Sequence, residues 1–108
     1  MNSTVTVPAT RLSKGWRLII CNCVIHLDLY NVNSLKGRRS VTNKFKEKLK
    51  TFNVSVMDIS SEYPKEADIA FVFLSPNALE SARYREKIES AMVTLFPEYT
   101  IDLDYEEL

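Results

Sequence analysis

Glycine, cysteine and histidine are scarce in this 108-residue chain, which holds two glycines, two cysteines and one histidine. With only Gly15 and Gly37, it has no glycine-rich loop to cradle a nucleotide phosphate. Cys21 and Cys23 fall on one side of an alternating apolar segment and His26 on the other, so the three do not converge on a metal. No nucleophile accompanies His26, whose nearest acid on the same strand face is Asp28, so the pair is read as partly exposed strand residues and not as a catalytic base. No apolar run reaches the roughly 18 residues of a membrane helix, since Asn22, His26 and Asp28 interrupt the longest, Leu18 to Leu29. A secretory leader is also lacking, and the closely spaced cysteines are then expected to be reduced core hydrophobes. These absences predict a cytoplasmic protein that is not an enzyme, holds no metal or cofactor and does not enter a membrane.

The residues present suit one globular core. Hydrophobic residues make up 45% of the chain and charged residues 26%, and a chain of this length buries about 65% of its extended surface without needing a disulfide or metal. Net charge is zero. That zero conceals a division: residues 1–54 hold ten Lys/Arg against two acids, and residues 55–108 hold four against twelve. An asymmetry of this size speaks of partners more than of fold.

Residues 1–14 are polar, lack sustained periodicity and are expected to form a flexible leader before a single domain over residues 15–108, although Thr4 to Val7 could instead add an edge strand. From Trp16 to Tyr30 the pattern has period two, with Ile19, Cys21, Cys23, Ile25, Leu27 and Leu29 on the buried side. Ser34 then caps a helix whose apolar positions are Leu35, Val41, Phe45 and Leu49. Phe52 to Ile59 alternates again, and Ala67 to Leu74 is apolar on both faces, as in a central strand covered on both sides. Ser75-Pro76 reads as an N-cap and first helical residue, with Tyr84, Ile88, Ala91, Met92 and Leu95 as the buried stripe. Tyr99 to Tyr105 alternates as a fourth strand. The order βαββαβ predicts an α+β, ferredoxin-like domain, a four-stranded antiparallel sheet with both helices on one face.

The segments Ser34-Leu35-Lys36-Gly37-Arg38-Arg39-Ser40-Val41 and Phe52-Asn53-Val54-Ser55-Val56 resemble the YlxP-like family of small bacterial proteins, over roughly Leu18 to Tyr105. The resemblance implies a ferredoxin-like fold and a cytoplasmic location. The family has no established function, but its genes tend to lie among translation and ribosome-maturation genes. This chain departs from the family pattern at Arg38, at Met57-Asp58 and at Tyr63-Pro64-Lys65-Glu66-Ala67.

The first helix carries Lys36, Arg38, Arg39, Lys44, Lys46, Lys48 and Lys50 against Glu47 alone. Cations in its first turn oppose the helix dipole by roughly 0.3–1 kcal/mol each, so local stability does not account for them. Together with the Ser34 hydroxyl and the free N–H groups of the helix start, they form a candidate anion or nucleic-acid site. His26, Asp28, Asp102 and Asp104 are expected to share the open sheet face, a poor platform for stacked bases, which puts any RNA contact on the helix side. The expected partner is RNA or a ribosomal subunit. The competing reading is a protein-interaction module, such as a homo-dimer, built on complementary basic and acidic faces.

Overall fold

The computed structural model describes residues 17–108. They form β1 (Ile19–Asp28), α1 (Leu35–Leu49), β2 (Ser55–Asp58), β3 (Glu66–Ser75), α2 (Ala78–Leu95) and β4 (Thr100–Glu107). The strands make one antiparallel sheet in the order β2-β3-β1-β4, with two helices, a ferredoxin-like α+β arrangement. The expected leader, residues 1–14, lies outside the described residues, as does Trp16. None of the described helices is long and apolar enough to cross a membrane.

The core follows from two periodicities meeting. Odd residues of β1 from Cys21 to Leu27, Leu29 just beyond its end, and the odd residues of β3 from Ala67 to Phe73 are buried on the helix side. Val41, Phe45 and Leu49 of α1 and Ile88 and Met92 of α2 cover them, spaced four apart so that each helix turns one stripe inward. Phe45 is 0% exposed. Its ring stacks on Phe96 at 4.1 Å between centroids and meets Tyr99 edge-on at 5.8 Å. Cys21 and Cys23 are buried, unbonded thiols with sulfurs 3.6 Å apart, and burial above all pushes the Cys23 thiol far up, which suits packing and not reactivity.

Several boundaries and faces differ from the sequence expectation for identifiable reasons. The chain stays in β3 through Ser75, which pairs with Ile19, so Ser75 cannot cap α2. Asn77 caps it instead, its Oδ1 accepting from the Glu80 N–H at 2.9 Å, and Pro76 precedes the cap. β3 is not covered on both sides: Leu74 is 66% exposed, because both helices take the opposite face. Leu35 and Leu95 lie at helix ends beyond the reach of the sheet and are exposed. At the far edge, the Arg85 guanidinium of α2 lies 3.5 Å from the Tyr105 ring centroid and 3.3 Å from Glu107, pinning β4 to the helix layer.

Among the described residues, one buried side-chain polar atom is left without a partner, the Ser81 hydroxyl in the first turns of α2. Since a buried unsatisfied hydroxyl costs about 1–3 kcal/mol, Ser81→Ala is expected to raise the melting temperature by several degrees; an unchanged or lower value in a thermal melt would show that the hydroxyl is satisfied in solution.

Candidate nucleic-acid interface

The start of α1 is built by its cap. Ser34 has extended backbone and its Oγ accepts from the Gly37 N–H at 3.0 Å. A Cβ on residue 37 would come within 3.3 Å of that Oγ and 3.4 Å of Val32, so glycine keeps the cap and the preceding loop close together. No acid occupies the first turn of α1, which leaves the positive end of the helix dipole facing Lys36, Arg38 and Arg39 uncompensated.

The structure divides the basic residues of α1 into two groups. Arg38 turns toward the β2–β3 hairpin, where its Nη1 donates to the carbonyls of Ser61 at 2.5 Å, Tyr63 at 2.9 Å and Glu66 at 3.3 Å. Lys65 reciprocates: its Nζ donates to the carbonyls of Tyr30 at 2.9 Å and Val32 at 3.2 Å and to Asn33 Oδ1 at 3.0 Å. The two cations clasp the loop before α1 to the hairpin. Lys46 is half-buried and lies near Asp58. Burial raises the Asp58 pKa, but hydrogen bonds from the Ser60 hydroxyl and N–H, with the charges of Lys46 and Arg38, outweigh it and hold the carboxyl below its ordinary value. Lys48 is half-buried, its ammonium 5.6 Å from the Phe52 ring centroid.

Lys36, Arg39, Lys44 and Lys50 make up the second group. All are exposed, and no ion pair involves them among the described residues. The buried positions of α1 are Val41, Thr42, Phe45 and Leu49, so this group occupies the side turned to solvent, with Ser40, Asn43 and Glu47 between them. The row spans about 21 Å at 1.5 Å per residue. Of the residues expected to bind an anion, these are the exposed cations, whereas Arg38 is held by hairpin carbonyls and Lys46 and Lys48 are half-buried near Asp58 and Phe52. Ser34 is exposed, but its oxygen already serves the cap. Lys65 was not among the expected residues, although as the sole basic residue between Lys50 and Arg83 it stands out in an acidic half.

The opposite side of the sheet is acidic along β4, where Asp102, Asp104 and Glu106 pair with His26, Val24 and Asn22. His26 does not pair with Asp28. Its Nδ1 lies 2.7 Å from Asp68 Oδ1, because β3 sets Asp68 directly across from it, whereas Asp28 is two residues along the same strand. The hydrogen bond to Asp68 raises the His26 pKa above its ordinary 6.5 against a smaller lowering by burial, with Asp68, Glu66 and Asp102 adding to the rise by charge. A pKa higher in the folded than in the unfolded chain contributes stability that is complete below 6.5 and is lost as pH rises through the folded value. The one imidazole is therefore expected to titrate above 6.5 by NMR, and Asp68→Asn to bring it down toward that value; an unmoved titration would dissolve the pair.

A family model described as a protein of unknown function, DUF503, matches residues 20–104. The chain belongs to this family. No curated protein matches it. Among solved structures, the de novo designed protein Foldit4 is similar at 12% identity over 83% of this chain and 97% of that chain, with a TM-score of 0.49.

Proposed function

We propose that this member of the DUF503 family is a non-catalytic cytoplasmic RNA-binding domain that holds RNA phosphates along the solvent side of α1, with a ribosomal subunit as its setting. The observation that carries this reading is the row Lys36, Arg39, Lys44 and Lys50, exposed on a helix whose other cations are half-buried against the fold. Packing gains nothing from the row, the helix dipole favours only Lys50 at its C-terminal end, and its length suits several successive phosphates. Contact of this kind reads backbone and shape, not base identity. The acidic β4 side repels RNA, which favours one orientation of approach. The resemblance to YlxP-like proteins supports the ribosomal setting.

The test is binding to a labelled RNA hairpin at salt concentrations from 50 to 200 mM. Four phosphate contacts give a slope of log affinity against log salt of about −3 to −4, roughly a hundredfold loss of affinity over that range. A flat slope, or no binding at 50 mM, would overturn the reading. A homo-oligomer built from the same charge division would instead show salt-dependent sedimentation without RNA. Antiparallel pairing of two β4 edges does not suit it, since Asp102, Asp104 and Glu106 would meet like charges across the junction.

A further inference from the structure

Strand register sorts the open sheet face into two territories. At one end, Leu74 and Leu108 flank Ile20: Leu74 is its partner on β3, and Leu108 exchanges backbone hydrogen bonds with it at 2.9 and 3.0 Å. Next along the face, Val72 lies beside Ser55 and Asn22, and then Met57, Ala70 and Val24 lie side by side across three strands. Met57 and Leu74 are each 66% exposed. Between these rows lies a hollow of about 270 Å³ lined by Asn22, Val24, Ser55, Met57, Ala70 and Val72. Acids bound this apolar area on two sides: Asp104 and Glu106 along β4, and Asp28, Glu66, Asp68 and Asp102 at the far end. His26 is the sole basic group among them.

From this arrangement we propose a second interaction surface: the open sheet face docks an amphipathic helix of a partner protein, whose apolar stripe lies over Val24, Met57, Val72 and Leu74 and whose Lys/Arg flank meets Asp102, Asp104 and Glu106. A sheet with both helices on one side leaves its other face unpaired, and a helix is one element that covers such a face. A contiguous apolar area rimmed by charge marks a contact site, and the sign of the rim selects a basic occupant. A second copy of this chain fits badly through its own open sheet face or through α1. Sheet against sheet would oppose acidic rows, and the outer side of α1, with Lys36, Ser40, Asn43 and Glu47, carries no apolar stripe to enter the hollow. RNA is repelled by the same acids. This surface lies on the side of the sheet away from α1, so it stands or falls separately from the RNA reading.

The experiment uses two synthetic 18-residue helical peptides with the same leucine stripe, one with lysine and one with glutamate at every other position, titrated into the full chain labelled with 15N. The Leu/Lys peptide is expected to bind saturably, at least tenfold more tightly than the Leu/Glu peptide, with amide shifts centred on Val24, Ala70 and Val72. Met57→Ser with Leu74→Ser changes two exposed side chains and leaves the core intact; it should weaken the Leu/Lys peptide about tenfold. Replacing Lys36, Arg39, Lys44 and Lys50 should leave peptide binding unchanged. Equal affinity for the two peptides, shifts centred on the helices, or indifference to the double substitution would each overturn the proposal.

Discussion

Replacing Lys36, Arg39, Lys44 and Lys50 together by glutamine is expected to remove about 3 to 4 from the salt slope of RNA binding and to lower affinity at 50 mM salt by about a hundredfold or more. The side chains are exposed, so the substitutions leave the core packing in place and remove like charges from one helix side. Stability should therefore stay level or rise slightly, and a thermal melt run alongside the binding curves checks that the loss is not unfolding. Arg38→Gln is the contrasting variant. It deprives the carbonyls of Ser61, Tyr63 and Glu66 of their shared donor, at a cost of about 1–2 kcal/mol for charged hydrogen bonds at the surface, while the salt slope stays as in the parent. If Arg38→Gln flattened the slope and the quadruple substitution did not, the two groups of cations would have to exchange roles.

Phe45→Ala is expected to cost about 3–5 kcal/mol, the range for a large aromatic removed from a core that cannot collapse around the gap. Three sides of the site are fixed: the β1–β3 sheet lies beneath, and Phe96 and Tyr99 hold the ring from the segment between α2 and β4. For a domain of this size the loss amounts to a fall in melting temperature of roughly 15–30 °C, a large part of a total stability of about 5–15 kcal/mol. Denaturant unfolding measures it directly. A cost under about 1 kcal/mol would mean that α1 does not seat on the sheet through this ring, and the orientation of the basic row would then lose its anchor.

The elements were legible where one periodicity ran long. The alternation from Ile19 to Leu29 gives β1 and its buried side, and the spacing of Val41, Phe45 and Leu49 gives the inward stripe of α1. Legibility failed where a tertiary partner decided the outcome. Ser75 looks like a cap until Ile19 is seen to hold it in the sheet. Similarly, the even residues of β3 look covered until both helices are found on the other face. The basic helix was plain from composition, but its division was not, because Arg38 and Arg39 are adjacent in sequence and only three-dimensional placement sends Arg38 to the hairpin carbonyls and leaves Arg39 in solvent. His26 shows the same limit: local spacing offered Asp28, and cross-strand register supplied Asp68.

The most direct measurement for the central claim is an amide chemical-shift map of the 15N-labelled chain titrated with the RNA hairpin at 50 mM salt. Shifts are expected to concentrate on Lys36, Arg39, Asn43, Lys44, Glu47 and Lys50, with the open-face residues Val24, Ala70, Asp102 and Asp104 unmoved. Shifts centred on the open face, with α1 silent, would contradict that claim.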